Sequence, residues 1–572
     1  MIEIPSDTRE LVSFSNDLIE KCRVSHGMRA AYYRLLSIIA ETGGSDGTKS
    51  MINMMNAHLE RTSAHLFSPL ELKFDMGFDN IYPADIMEQG KVFARRVTRH
   101  WKRGRVGRLF GQGVYESLKY GACFMKQWPT MWNDKPQYHH RLVMPWSLGV
   151  FREDENSLDD QEAIVETSTL TLPEVWRRIY HLPNAEKLYA LVQAHAKNEP
   201  AGSRPDSFFH QVLSTSQLNT TGVQAATRPL PGGIVQVMSD PNYAIMGPTV
   251  AADTVQFHEL WVKGKEDWAT IQIIEPDILV TMFKLSNLFI KDSQQQPYNI
   301  ICPNEVSGWL WGRSELVDLI EPQLWLSSLA ADARRLMGLQ IDKFLGLIGE
   351  AGMTDELYAA ARNNGYMNMP QGSSIEDLTP KFPPEMLPMI EFVIKMINTL
   401  GSFPEIMQGK GEPGVRAGNH ASTLLKTASP TLRDRSLAVE EQCEDCADKT
   451  AMLLEAKDEN FYWTKADKIE DTEKTKFLLA QVPQDWCITV DSHSSSPIFM
   501  EENGQEIWMA AKSGFVDGEY VLDNRPFPNK ESAKVALKAK AAAKKQEFDK
   551  ITEKFPEAAE KIAVKQISGG RR

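Results

Sequence analysis

At 572 residues the chain has room for two to four domains, and its 42% hydrophobic and 24% charged residues are ordinary for a soluble globular protein. The formal net charge of −13 is uneven: residues 525–572 carry 13 Lys and Arg against 6 Asp and Glu, which leaves −20 on residues 1–524. A body of that sign does not attract nucleic acid as a whole, although it does not exclude a protein through which DNA passes without being gripped. No charge-free run of some 18 apolar residues occurs, so no transmembrane helix is expected. The first residues, Met-Ile-Glu-Ile-Pro-Ser-Asp, lack the basic and apolar regions of a signal peptide, and the protein is expected to stay where it is made. Six scattered cysteines do not form a disulfide framework and point to a reducing compartment.

In chain order, residues 1–70 read as helical. Ser6 or Asp7 caps a first helix through Leu11, Phe14, Leu18 and Cys22, a second runs from about Gly27 to Ala40, and a third from Lys49 to Phe67. Residues 71–78 alternate like a strand. Asp85–Arg103 and Gly111–Tyr120 read as helices, and Ala122–Trp128 as a strand after Gly121. Residues 138–310 are richer in strands, with candidates at 141–144, 163–166, 233–238, 254–262, 268–274 and 297–301, and short helices after Leu172-Pro173 and at 184–197. Residues 199–230, rich in Ser, Thr, Pro and Asn, read as a loop or a mobile insertion.

The stretch 308–457 organises the chain. A helical prelude at Ser314–Ile320 leads to a helix from Pro322 to Leu339, with Trp325, Leu329, Ala333 and Leu336 as its apolar stripe. An excursion at 340–381 reads as a β-α-β unit: a strand at 343–348, a short helix capped by Thr354 with Asp355 and Glu356 in its first turn, and a strand at 366–369. A second helix begins near Pro384 or Pro388 and stops at Gly401. It is apolar on nearly every side, with Glu391 and Lys395 as its only charges. Such a helix must be buried on several faces, and one partner helix cannot do that, which points to other subunits. A glycine-rich loop follows, and then a third helix from about Asn419 to Lys457, with Pro430 as a kink and Leu432, Val439, Cys443, Ala447, Thr450 and Leu454 on one face. The chain beyond reads as loop and short helices to about Val482, a helix near 499–513, and a Lys- and Ala-rich helical tail over 530–562.

Catalytic motifs fail on their context. Gly47-Thr48-Lys49-Ser50 breaks the phosphate-loop order at Thr48 and follows no apolar strand. Gly409-Lys410-Gly411-Glu412-Pro413-Gly414 fits a dinucleotide fingerprint letter for letter, but it follows a helix and Pro413 spoils the approach to another. Cys443 and Cys446 have no second pair or suitably spaced histidine, and their acidic neighbours disfavour thiolates, so packing is the better reading than zinc. His139-His140 reads as surface. No cofactor and no metal is expected, and no catalytic residue is assigned. The densest basic run is Lys91, Arg95, Arg96, Arg99, Lys102, Arg103, Arg105 and Arg108, without an acid among them. It reads as a solvated face, a contact for an acidic neighbouring subunit, or, as a minority reading, a DNA contact.

From Tyr115-Glu-Ser-Leu-Lys-Tyr-Gly121 and the strand after it, through Leu142-Val-Met-Pro-Trp146, Ala163-Ile-Val-Glu166 and Leu172-Pro-Glu-Val175, to Trp311-Gly-Arg-Ser314, Leu319-Ile-Glu-Pro322, Phe403-Pro-Glu-Ile-Met-Gln-Gly409 and Ala417-Gly-Asn-His-Ala421, the order of local signatures resembles that of the portal proteins, or head–tail connectors, of tailed bacteriophages. The resemblance covers most of 85–525. It implies an α+β, mainly helical fold divided into an N-terminal region and wing (1–310), a first stem helix (311–339), a small α/β clip (340–381), a second stem helix (382–402), a tunnel loop (403–420), a long wing helix and connection (421–480), and a C-terminal crown with a basic tail (481–572). It further implies a ring, usually of twelve copies, at one vertex of the virion capsid, assembled in the host bacterial cytoplasm. Double-stranded DNA would be packaged and ejected through its channel. The expected partners are the terminase large subunit, the head–tail adaptor or tail proteins, and the major capsid and scaffolding proteins, with no membrane and no enzymatic activity. Lys410 and Arg416 are the candidate DNA contacts of the tunnel loop, and Thr354, Asp355, Glu356, Asn364 and Tyr366 are candidates for partner binding on the clip. A tail or baseplate structural protein without a DNA channel, or a DNA-processing enzyme using the basic run, are the alternatives.

Overall fold

The computed structural model describes residues 4–198 and 254–348 with breaks, then 374–377, 381–401, 430–464 without 458 and 459, 474–478, 485–490, and scattered positions between 507 and 540. Within them the protein is a mixed α+β fold in which helix predominates. Among the described residues no helix is long and apolar enough to cross a membrane.

Asp7 accepts a hydrogen bond from the Arg9 N–H and opens α1 (Thr8–Thr42), one 35-residue helix. The two helices expected here are joined, since a lone Gly27 costs a helix only about 1 kcal/mol and both halves have a surface to pack on. Leu11, Leu18 and Cys22 lie on a sheet, while Tyr33, Leu36 and Ile39 enter the main core. Next come α2 (Met54–Leu66), which starts at its Asn53 cap rather than at Lys49, β1 (Phe74–Phe78), α3 (Ala84–Gly104) and α4 (Val106–Tyr120). The strand-rich part holds β2 (Cys123–Trp132), β3 (Lys135–Val143), β4 (Leu148–Val150), β5 (Ala163–Thr171), α5 (Leu172–Ile179), α6 (Ala185–Asn198), β6 (Thr254–Lys263), β7 (Trp268–Ile274), β8 (Ile278–Lys284) and β9 (Tyr298–Ile301). The loop expected at 199–230 and the strand expected at 233–238 lie outside the described residues.

β4 to β8 form a five-stranded antiparallel sheet in sequence order. Side chains alternate across it. Val165, Leu260 and Val262 face the N-terminal half of α1, while Val255 and Phe257 face α5 and α6. A second antiparallel sheet has the order β3–β2–β9.

The stem follows. A 3₁₀ turn at Val317–Leu319 leads into α7 (Ile320–Ile341), then come β10 (Leu345–Ile348), β11 (Ser374–Asp377), α8 (Met386–Leu400), α9 (Pro430–Lys457), β12 (Asn460–Thr464), β13 (Lys474–Leu478) and β14 (Trp486–Val490). β10 pairs antiparallel with β11, a strand absent from the sequence reading; the helix at Thr354 and the strand expected at 366–369 lie outside the described residues. Where loop and short helices were expected after Lys457, β12 and β13 pair antiparallel. β14 returns across some 400 positions to pair with β1, and packs on α9. The expected face of α9 is buried throughout, and Cys446, Lys449, Ala451 and Leu453 are buried as well, so α9 is a central beam of the main core.

The turn after α4 depends on one residue. Gly121 has φ +105°, and a Cβ there would lie 2.5 Å from the Trp311 carbonyl oxygen, ahead of α7. Gly121→Ala is therefore expected to destabilise the fold by about 2–3 kcal/mol, measured as a lower denaturant midpoint than that of an alanine placed at exposed Gly338, where a Cβ meets nothing within 4 Å.

Candidate functional site

The hairpin of α7 and α8 is the most unusual surface of the molecule. Its two helices pack on each other, and the end of α8 returns to the start of α7, so they run antiparallel. Gly401 closes α8, as expected, but for another reason: its φ of −76° is open to any residue, whereas a Cβ would collide with the His58 ring. His58 Nε2 lies 3.3 Å from Glu315 Oε1, just ahead of α7. Glu315 Oε2 accepts from Asn304 Nδ2 at 3.0 Å and pairs with Arg435 of α9 at 2.8 Å. Burial alone would raise the Glu315 pKa, but the His58 hydrogen bond and the Arg435 charge outweigh it and hold the carboxyl below its usual range. A second clamp is Gln323, whose Nε2 donates to the Ile52 carbonyl at 2.8 Å and whose Oε1 accepts from the Met54 N–H at 3.1 Å.

These clamps choose which side of α7 is buried. Gln323, Leu326, Ala330 and Ala333 face inward; of the stripe expected, Ala333 is buried, Leu329 and Leu336 are half-buried, and Trp325 is 40% exposed. On α8 only Val393 and Ile397 are buried, while Leu387 and Phe392 are 54% and 58% exposed and Met389 and Leu400 stand open beside them. Both helices thus present large apolar side chains that nothing among the described residues covers.

A second surface is the outer face of α3. Val92, Phe93, Val97 and Trp101 point into the core, and Lys91, Arg95, Arg99 and Lys102 point to solvent, followed by Arg103, Arg105 and Arg108. Among the described residues none of these seven makes an ion pair. The inner edge of the helix carries a device that sequence did not show. His140, expected at the surface, is instead held against His100, Nε2 to Nε2 at 3.2 Å, while His139 stays exposed and stacks on Trp128. Burial and neighbouring positive charge lower the pKa of His100 to about 4 and that of His140 to about 3. One neutral imidazole donates to the other, and a proton on the acceptor would leave two N–H groups facing each other.

A third cluster resembles a catalytic centre in composition. Glu166 and Glu259, too far apart in sequence to be read as a pair, are direct cross-strand partners on β5 and β6. Lys126 Nζ lies 2.7 Å from one and 2.5 Å from the other, Arg141 pairs with Glu166, and Tyr298 donates its hydroxyl to Glu166 at 2.6 Å. Desolvation lowers the Lys126 pKa to about 7 despite the pull of Glu259. Lys126, Glu166, Glu259 and Tyr298 are all buried and their polar atoms bind one another, so the cluster ties the two sheets together and leaves no group aimed at a substrate. Cys443 and Cys446 pack in the core with thiols pushed up by burial. Among the described residues no group of His, Cys, Asp and Glu is arranged to hold a metal ion.

The residues selected from sequence for DNA contact, Lys410 and Arg416, and for clip binding, Thr354, Asp355, Glu356, Asn364 and Tyr366, all lie outside the described residues. The described elements flanking them are α8 and α9 for the first pair and β10 and β11 for the second set. No protein-family model matches the chain, and no curated protein matches it either.

Two outcomes test this description. Glu315→Ala, which leaves Arg435 facing a buried void, is expected to cost about 3–5 kcal/mol in equilibrium unfolding, and Glu315→Gln less. Because the folded histidine pair resists protons that the unfolded chain takes up, stability should fall as pH drops from about 6.5 toward 5. In His100→Gln/His140→Gln the unfolding midpoint should change less over that window.

Proposed function

We propose that the protein is a portal, a ring-shaped DNA channel at one vertex of a tailed-phage capsid. In this reading α7 and α8 are stem staves, β10–β11 with residues 349–373 belong to the clip, and 402–429 contains the tunnel loop. The order of sequence signatures from Tyr115 to Ala421 supports it. The single observation that carries it is the α7–α8 hairpin, anchored at one end by Glu315 and Gln323 and bearing uncovered Trp325, Leu387, Met389 and Phe392. Exposed apolar patches of this kind mark an interaction site, and copies placed around an axis would cover them on both sides.

The acidic body suits a channel wall that repels phosphate and lets DNA slide. Lys410 and Arg416 are proposed as transient phosphate contacts. Thr354, Asp355, Glu356, Asn364 and Tyr366 are proposed to meet the terminase during packaging and the tail adaptor afterwards. Twelve copies is the number proposed from the resemblance. The protein's part is structural, with no chemistry assigned to it.

Electron microscopy of the purified protein tests the proposal. Rings with a central hole wide enough for duplex DNA are expected, and a monomer or a fibre would refute it. Within such rings, Lys410→Ala/Arg416→Ala is expected to change DNA packaging or retention while leaving ring formation intact.

A further inference from the structure

The cations of α3 fall on one line. Lys91, Arg95, Arg99 and Lys102 are spaced i, i+4, i+8 and i+11, so they share a face about 16 Å long. All four are exposed, and no carboxylate among the described residues pairs with them. On α9 the sign is reversed. Asp434, Glu441 and Asp445, at i, i+7 and i+11, are exposed along a line of the same length, with Leu437 open between them. None of the three makes an ion pair among the described residues. The loop before β5 extends this acidic surface with Asp159 and Asp160, and Asp159 is close enough to act on Asp445. The Asp445 carboxyl is pushed up by desolvation and by Asp159 and Glu441, against the pull of Lys449. Lys449 itself donates to the Tyr298 carbonyl oxygen, and Lys263 to the Asp159 carbonyl oxygen, so neither cation lies in an ion pair with these carboxylates.

Within one chain the two lines do not meet, although α3 and α9 belong to the same core. Each is therefore a row of like charges left to repel itself. A second copy of the chain supplies the matching row at the matching length. We propose that the α3 cation row of one copy docks on the α9 carboxylate row, with Asp159 and Asp160 at its end, of the next copy, as a head-to-tail contact. Two different surfaces meeting in this way form a heterologous interface, the kind that generates rings when the rotation closes. The inference rests on the ring reading above and names the polar contact that sets its register. Charge complementarity of this kind orients partners and excludes wrong ones more than it adds affinity.

The test is a charge swap in the full chain, read as particle mass at moderate salt. Arg95→Glu/Arg99→Glu forms one variant and Glu441→Lys/Asp445→Lys the other. Each alone should weaken self-association about a hundredfold and give monomers. An equimolar mixture of the two should recover rings, because every junction in an alternating ring is again a pair of opposite charges. Recovery on mixing also excludes misfolding as the cause of the loss. Wild-type rings should loosen as salt rises. Wild-type rings with both variants assembling normally would overturn this inference and leave the ring reading standing, whereas a monomeric wild type would overturn both. Variants that stay monomeric when mixed would overturn it, as would normal rings of Arg95→Glu/Arg99→Glu that lose only their affinity for a short DNA duplex, which would assign the α3 row to nucleic acid.

Discussion

A helix with two charges in fifteen residues does not remain bare in water, and this constraint governs the molecule. α8 buries only Val393 and Ile397 within its own chain. Each of its large side chains that is about half exposed leaves half of the ~1.5–3 kcal/mol of full burial unrealised. Packing on α7 does not relieve this, because α7 turns its own Trp325 and Met337 outward. The hairpin is stable as a unit because its base is fixed by buried polar contacts at Glu315 and Gln323, not because its length is covered. In the proposed ring, copies of the same hairpin would cover what remains open.

The rest of the chain fixes the base of that hairpin. α9 crosses the main core and meets α2, α3, β2, β9 and β14, while Arg435 reaches from it to Glu315. The Lys126–Glu166–Glu259 cluster locks the five-stranded sheet to the three-stranded one. A buried ionic tie of this kind contributes little net stability, but it penalises any arrangement in which one charge loses its partner. These ties hold the two sheets, α9 and the base of the α7–α8 hairpin in one fixed arrangement. In the proposed ring, apolar hairpins would supply the closeness of packing and the charged rows of α3 and α9 the register.

Local periodicity made most elements legible. α3, α5, β7 and the C-terminal end of α8 fall within a few residues of where composition places them, and every residue expected on the buried face of α9 is buried. Hydrophobicity placed Trp325 on the buried stripe of α7, whereas hydrogen bonds between Gln323 and a loop some 270 positions away turn the side of Gln323 and Leu326 inward and leave Trp325 exposed. Gly401 announced the end of α8, but the reason lay in His58, which no local pattern connects to it. The same limit hid His100 against His140, Glu166 against Glu259, and β1 against β14, all of which depend on pairings between distant segments. Of the functional surface, the apolar excess of α8 was readable from sequence, and its lack of cover within the chain was not.

The most direct measurement is hydroxyl-radical footprinting of Trp325, Met389 and Phe392 in the assembled particle and in dilute single chains. The account predicts strong protection of all three on assembly, with exposed Tyr180 after α5 as an unprotected reference. Equal reactivity in both states, in a preparation that has formed particles, would contradict it, since the α7–α8 hairpins would then not be what holds the copies together.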